Sequence, residues 1–150
     1  MPERVVTYQI INQKLDTGFL LTAPSLQRLY IDGALALTDF LVQLDRVKTE
    51  ITRTLTATGE NREKLMANWI CAVLALFERD HFLAKRIVFK KFDGKQIEAS
   101  LFGETFDSIR HGGSPHLKAL VPQEFQITDK MDPEPQFSLK VILGIKRAAQ

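Results

Sequence analysis

Lys85-Arg86-Ile87-Val88-Phe89-Lys90-Lys91-Phe92, then Asp93-Gly94, then Lys95-Gln96-Ile97-Glu98-Ala99-Ser100-Leu101-Phe102 is the stretch that decides the fold. Both arms are rich in β-branched and aromatic residues, and the Asp-Gly pair between them suits the two positive-φ positions of a type I′ turn. A hairpin follows, and its turn sets the register. Ile97, Ala99 and Leu101 then share the face toward the core, while Gln96, Glu98 and Ser100 point to water.

Upstream of the hairpin the periodicity alternates between strand and helix. Val5 to Asn12 and Thr17 to Thr22 read as an opening pair of strands, with Lys14-Leu15-Asp16 as the turn between them. Ser25 is placed to cap a helix in which Leu26, Leu29, Tyr30, Gly33, Ala34, Leu37, Phe40 and Leu41 recur at steps of three and four. From Val47 to Ala57 the period becomes two, with Arg53 the one misfit on the apolar face. Gly59 ends that strand and Asn61 can cap a second helix. Leu65 to Phe77 is apolar almost all round, which places that helix under cover on more than one side.

Downstream, a loop rich in Gly, Ser and His runs from Asp107 to His116. Leu117 to Val121 is a short apolar stretch that Pro122 marks as a sheet edge or a break. Phe125 and Ile127 alternate with polar neighbours, and after the acidic turn Asp129 to Pro135 the last strand aligns Phe137, Leu139, Val141, Leu143 and Ile145. The order predicts an α+β fold, with two helices packed on one face of a mostly antiparallel sheet in a single domain spanning 1–150.

Composition narrows the function classes. The chain has 150 residues, 45% of them hydrophobic and 25% charged, with a formal net charge of +2 and both halves close to neutral. Nucleic acid or an anionic membrane would have to be met by a local patch, since the whole-chain field is weak. The single Cys71 excludes an internal disulfide and lies in an apolar run, where a thiol packs as a small hydrophobe. Without a secretory leader, and with its longest apolar run well short of the roughly 20 residues a spanning helix needs, the chain reads as cytoplasmic.

Catalytic chemistry is hard to find. There is no Gly-x-Ser-x-Gly elbow, no dinucleotide fingerprint and no Walker A sequence, and one Cys with three His cannot assemble a zinc site. Gly112-Gly113-Ser114 reads as a surface loop. Lys85, Arg86, Lys90, Lys91 and Lys95, interleaved with Phe89 and Phe92, have the composition of a single-strand RNA site, but a solvated edge strand accounts for them more simply. Asp16, in the bend before Thr17-Gly18, fits either an Asx-turn or a hard-cation ligand.

Ser25-Leu26 through Asp39, the helix carrying Leu65, Trp69 and Leu74, and above all Gly103-Glu104-Thr105-Phe106-Asp107-Ser108-Ile109-Arg110-His111 with Leu117-Lys118-Ala119-Leu120 resemble the archease family. The resemblance implies a small two-layered α+β protein, archease-like. It also implies a non-catalytic accessory role toward an RtcB-type RNA ligase of tRNA splicing or RNA repair, which uses GTP and a divalent metal. The accessory protein promotes guanylylation of the ligase and its turnover. On that resemblance Asp16, Glu104, Asp107, His111 and Lys118 form the ligase-facing surface, with tRNA contacted indirectly.

Departures from the family pattern are equally specific. The family's opening His-Thr-Ala-Asp-x-Gly is here Gln13-Lys14-Leu15-Asp16-Thr17-Gly18, and the second metal-binding Asp, near the last strand, is replaced by Gly144. Asp16, with Ile145 beside the missing carboxylate, is what remains of a calcium-like site, and losing one anionic ligand weakens or abolishes it. The family's Asn-Glu on the second helix stands as Cys71-Ala72, and its Tyr-His as Pro122-Gln123. These changes also fit an alternative: an archease-fold binding module that has lost ligase activation and binds another protein or RNA.

Overall fold

A computed structural model describes residues 8–13, 16–111 and 120–145. Seven strands and two long helices alternate along it: β1 (Gln9–Gln13), β2 (Asp16–Ala23), α1 (Leu26–Leu41), β3 (Ile51–Thr58), α2 (Arg62–Asp80), β4 (Phe82–Phe92), β5 (Gln96–Thr105), a four-residue α3 (Ser108–His111), β6 (Leu120–Lys130) and β7 (Gln136–Ile145). The strands form two antiparallel sheets, ordered β1-β2-β7-β6 and β3-β5-β4. The α+β class and the two helices match the sequence reading, while the strands divide over two sheets instead of one.

The helices lie between those sheets. α1 packs on β2 and β7 of one sheet and on β4 of the other, and α2 packs on β6 as well as on β3, β4 and β5. That position explains the apolar surround of α2 and the unbroken buried run from Leu29 to Thr38 in α1. Gly33 lets α1 close on the larger sheet, since a Cβ there would lie 3.1 Å from Leu139 Cδ2. Trp69, fully buried, donates its indole N–H to the Tyr30 carbonyl at 2.8 Å and so ties α2 to α1.

Caps fall where the sequence puts them. The side-chain oxygens of Ser25 and Asn61 accept from the backbone N–H groups of Arg28 and Lys64, satisfying donors that a helix start leaves without partners. Arg53, the misfit, stacks its guanidinium over the Phe82 ring at 5.6 Å, which lets it stay on the inner face. Pro122 lies in edge strand β6, at a shift in the β6–β7 register.

Three local expectations change. Between Asp93 and Gly94 only the glycine has a positive φ, so the turn is not type I′. The Asp93 carboxylate instead accepts from Lys95 N–H and Gln96 N–H, and these bonds hold its pKa below the usual carboxylate range. The strand expected from Val47 begins at Ile51; residues 47–50 are irregular, and Lys48 N–H donates to the Glu104 carboxylate instead of to a neighbouring strand. Cys71 faces solvent: the buried set Leu65, Met66, Trp69, Ile70, Val73, Leu74 and Phe77 leaves it on the outer stripe with Asn68 and Glu78. No helix among the described residues is long and apolar enough to cross a membrane.

Candidate functional site

β5 is the central strand of the smaller sheet and ends in the most specific motif of the chain. Gly103 stands where the β4 backbone passes closest, since a Cβ there would collide with the Leu83 carbonyl. The next residue, Glu104, falls on the sheet's outer face, in phase with Gln96, Glu98 and Phe102. α3 then folds the chain back over it.

Glu104 and His111 are 3% and 5% exposed, and Glu104 Oε2 lies 3.0 Å from His111 Nε2. The same carboxylate oxygen accepts from Lys48 N–H at 2.6 Å. His111 Nδ1 accepts from Asp107 N–H at 2.8 Å, so that nitrogen carries no proton, and the ring is the neutral tautomer donating through Nε2 to Glu104. Phe106 stacks on the imidazole at 5.6 Å and meets Phe77 edge-on, while its N–H donates to the His81 carbonyl. This arrangement anchors the α3 turn to the sheet through one buried acid and one buried imidazole.

Asp107 emerges from that brace exposed, and its Oδ1 accepts from Ile109 N–H at 2.9 Å. Ile109 is 90% exposed beside it. The five residues grouped as a ligase-facing surface therefore separate. Glu104 and His111 lie beneath the surface, where they hold the turn. Asp107 is the member of that motif at the surface, and Lys118 lies outside the described residues.

Asp16 opens β2 in the other sheet, and the antiparallel register sets it directly across from Gly144 of β7, with Ile145 the next residue along. A residue without any side-chain donor thus stands at the position facing Asp16, and Ile145 brings an aliphatic side chain. Among the described residues no group of three or more His, Cys, Asp or Glu is placed to hold a metal ion. Across this strand pair the sequence supplies one carboxylate, where a hard cation takes several oxygen ligands.

Sequence reasoning missed Asp32, a buried carboxyl in the middle of α1 whose pKa burial pushes up to about 6, against a smaller lowering by Arg28. A signal was present, since Asp32 falls inside the apolar run of that helix.

The fold and this brace together define a class: a two-sheet α+β scaffold with a short turn carrying Asp107 braced against the smaller sheet. The model of the Archease protein family (MTH1598/TM1083) matches residues 8–145, and the chain belongs to that family. Protein archease of Methanosarcina acetivorans is 25% identical over 141 residues, covering 88% of this chain and 93% of that protein. Protein archease-like of Drosophila melanogaster is 24% identical over 148 residues, covering 97% and 93%. The solution structure of Methanobacterium thermoautotrophicum protein 1598 superposes with a TM-score of 0.74 at 20% identity, over 92% of this chain and 98% of that one, and so shares the fold.

Proposed function

We propose that this protein is a non-catalytic accessory factor of an RtcB-type RNA ligase, acting in the cytoplasm to promote guanylylation and repeated turnover of the ligase. The observation that carries the proposal is the brace beneath Asp107. The Glu104–His111 pair holds a short turn that carries Asp107 at the surface, and the residues that build it are those on which the family resemblance rests. A carboxylate held in place in advance loses little conformational entropy on meeting a basic or metal-bearing partner site.

The facing of Asp16 by Gly144 favours a second reading, in which the scaffold survives as a binding module that no longer activates a ligase. Ligation of a cyclic-phosphate RNA by the ligase of the same organism separates the two. Accelerated multiple turnover, with single turnover already competent, is expected for the accessory factor. A ligase indifferent to the protein under those conditions would leave the binding module.

A further inference from the structure

The outer face of the β3-β5-β4 sheet has an unusual surface. Cross-strand rows run Thr52–Phe102–Arg86, Thr54–Ser100–Val88 and Thr56–Glu98–Lys91. All three threonines are exposed, as are Arg86, Lys91 and Glu98, and Val88 is 41% exposed. The Arg86 guanidinium lies over the Phe102 ring at 5.5 Å, a cation–π pair on the solvent face of the sheet. Lys90, unpaired at a shift in the β4–β5 register, adds an exposed cation on edge strand β4, and Lys95 adds one at the hairpin end, where its carbonyl accepts from Gly59 N–H.

We infer that this sheet face binds single-stranded RNA, with a base stacked on the Arg86–Phe102 pair and phosphates met by Lys90, Lys91 and Lys95. Unpaired bases stack on aromatic rings and on guanidinium planes, and a strip of cations tracks the backbone beside them. The cations are complementary to a polyanion, with Glu98 the one acid in the rows. A protein partner fits less well: a stable protein interface wants an apolar centre within about 800 Å² per side, and this face offers Val88 and part of Phe102 amid hydroxyls. The exposed hydroxyls of Thr52, Thr54 and Thr56 can exchange hydrogen bonds with a ribose 2′-hydroxyl. Preferring RNA to DNA rests on the ligase reading above; the stacking and charge complementarity do not.

The test is fluorescence anisotropy with a labelled uridine oligomer, the matching thymidine DNA and polyglutamate, on the full chain without any ligase. RNA should bind in preference to both competitors, with log affinity falling against log salt at a slope of about −2 for three phosphates on a single strand. Arg86→Gln should weaken binding on the order of tenfold. Lys91→Gln should reduce the slope by about 0.7 with an unchanged melting temperature. Both side chains are exposed, so neither variant threatens the fold. RNA that fails to bind at low salt, DNA or polyglutamate that binds equally well, or an Arg86→Gln variant that binds as wild type would each overturn the assignment. Ligase stimulation without RNA binding would sink this inference alone, and RNA binding without stimulation would sink the ligase reading alone.

Discussion

Two strand ends, one in each sheet, carry the residues that the archease resemblance singles out, and they differ in what those residues do for the fold. At the β5–α3 end, Glu104 and His111 are buried and share hydrogen bonds with Lys48 N–H and Asp107 N–H. At the β2–β7 end, Asp16 faces Gly144 across the strand pair. The motif is complete where its polar groups satisfy one another, and depleted where a second carboxylate would have served only a ligand. A buried acid that accepts two donors is costly to lose, whereas an acid facing another acid is costly to keep unless a cation joins them.

The largest effect that could break this contrast is at Glu104. Glu104→Ala strands the Lys48 and His111 donors and should cost roughly 3–4 kcal/mol, read as a lower urea midpoint. A loss under 1 kcal/mol would mean that the brace is not structural.

Asp32, in the middle layer, serves as a reference away from both ends. Its folded pKa of about 6 lies above the ordinary carboxylate value, so the folded state holds the proton more tightly. The stability it contributes is full below about pH 4 and is lost as pH rises through 6, a total of roughly 2–3 kcal/mol. Asp32→Asn should remove that downward slope in a stability profile, and a slope identical to wild type would show that other groups set it.

Gly144→Asp sharpens the contrast from the other side. Restoring a carboxylate across from Asp16 should cost about 0.5–1 kcal/mol without metal, through like-charge repulsion between cross-strand neighbours. Calcium should then raise the melting temperature of the variant and leave wild type unmoved, because a cation bound only by the folded state stabilises it. Equal calcium responses would show that the wild-type chain already holds the ion.

Smallest is Glu104→Gln, which keeps an acceptor oxygen for Lys48 N–H and His111 Nε2–H. A change within about 1 kcal/mol is expected, and its difference from the alanine variant isolates the hydrogen bonds from the volume.

Much of the architecture was legible because periodicity reports it directly. The hairpin read at 85–102, which the structure extends to 82–105, the caps at Ser25 and Asn61 and the all-round apolar α2 follow from local pattern. Division into two sheets was not, since a period of two says which face of a strand is buried but not which sheet it joins. The burial of Glu104 was hidden for a related reason: its phase along β5 is that of exposed Glu98, and only the return of α3 covers it. Asp93 misled because its carboxylate, instead of the positive φ of a type I′ turn, completes the hairpin. Cys71 was a legible miss, for it shares the outer stripe of α2 with Asn68 and Glu78.

The most direct test places function at one end or the other: multiple-turnover RNA ligation by the RtcB-type ligase with wild-type protein, Asp107→Ala and Asp16→Ala, each variant first shown to melt as wild type does. Stimulation by wild type and by Asp16→Ala, with loss in Asp107→Ala, is the expected result. Stimulation that survives in Asp107→Ala and disappears in Asp16→Ala would contradict it and return the working surface to the β2–β7 end.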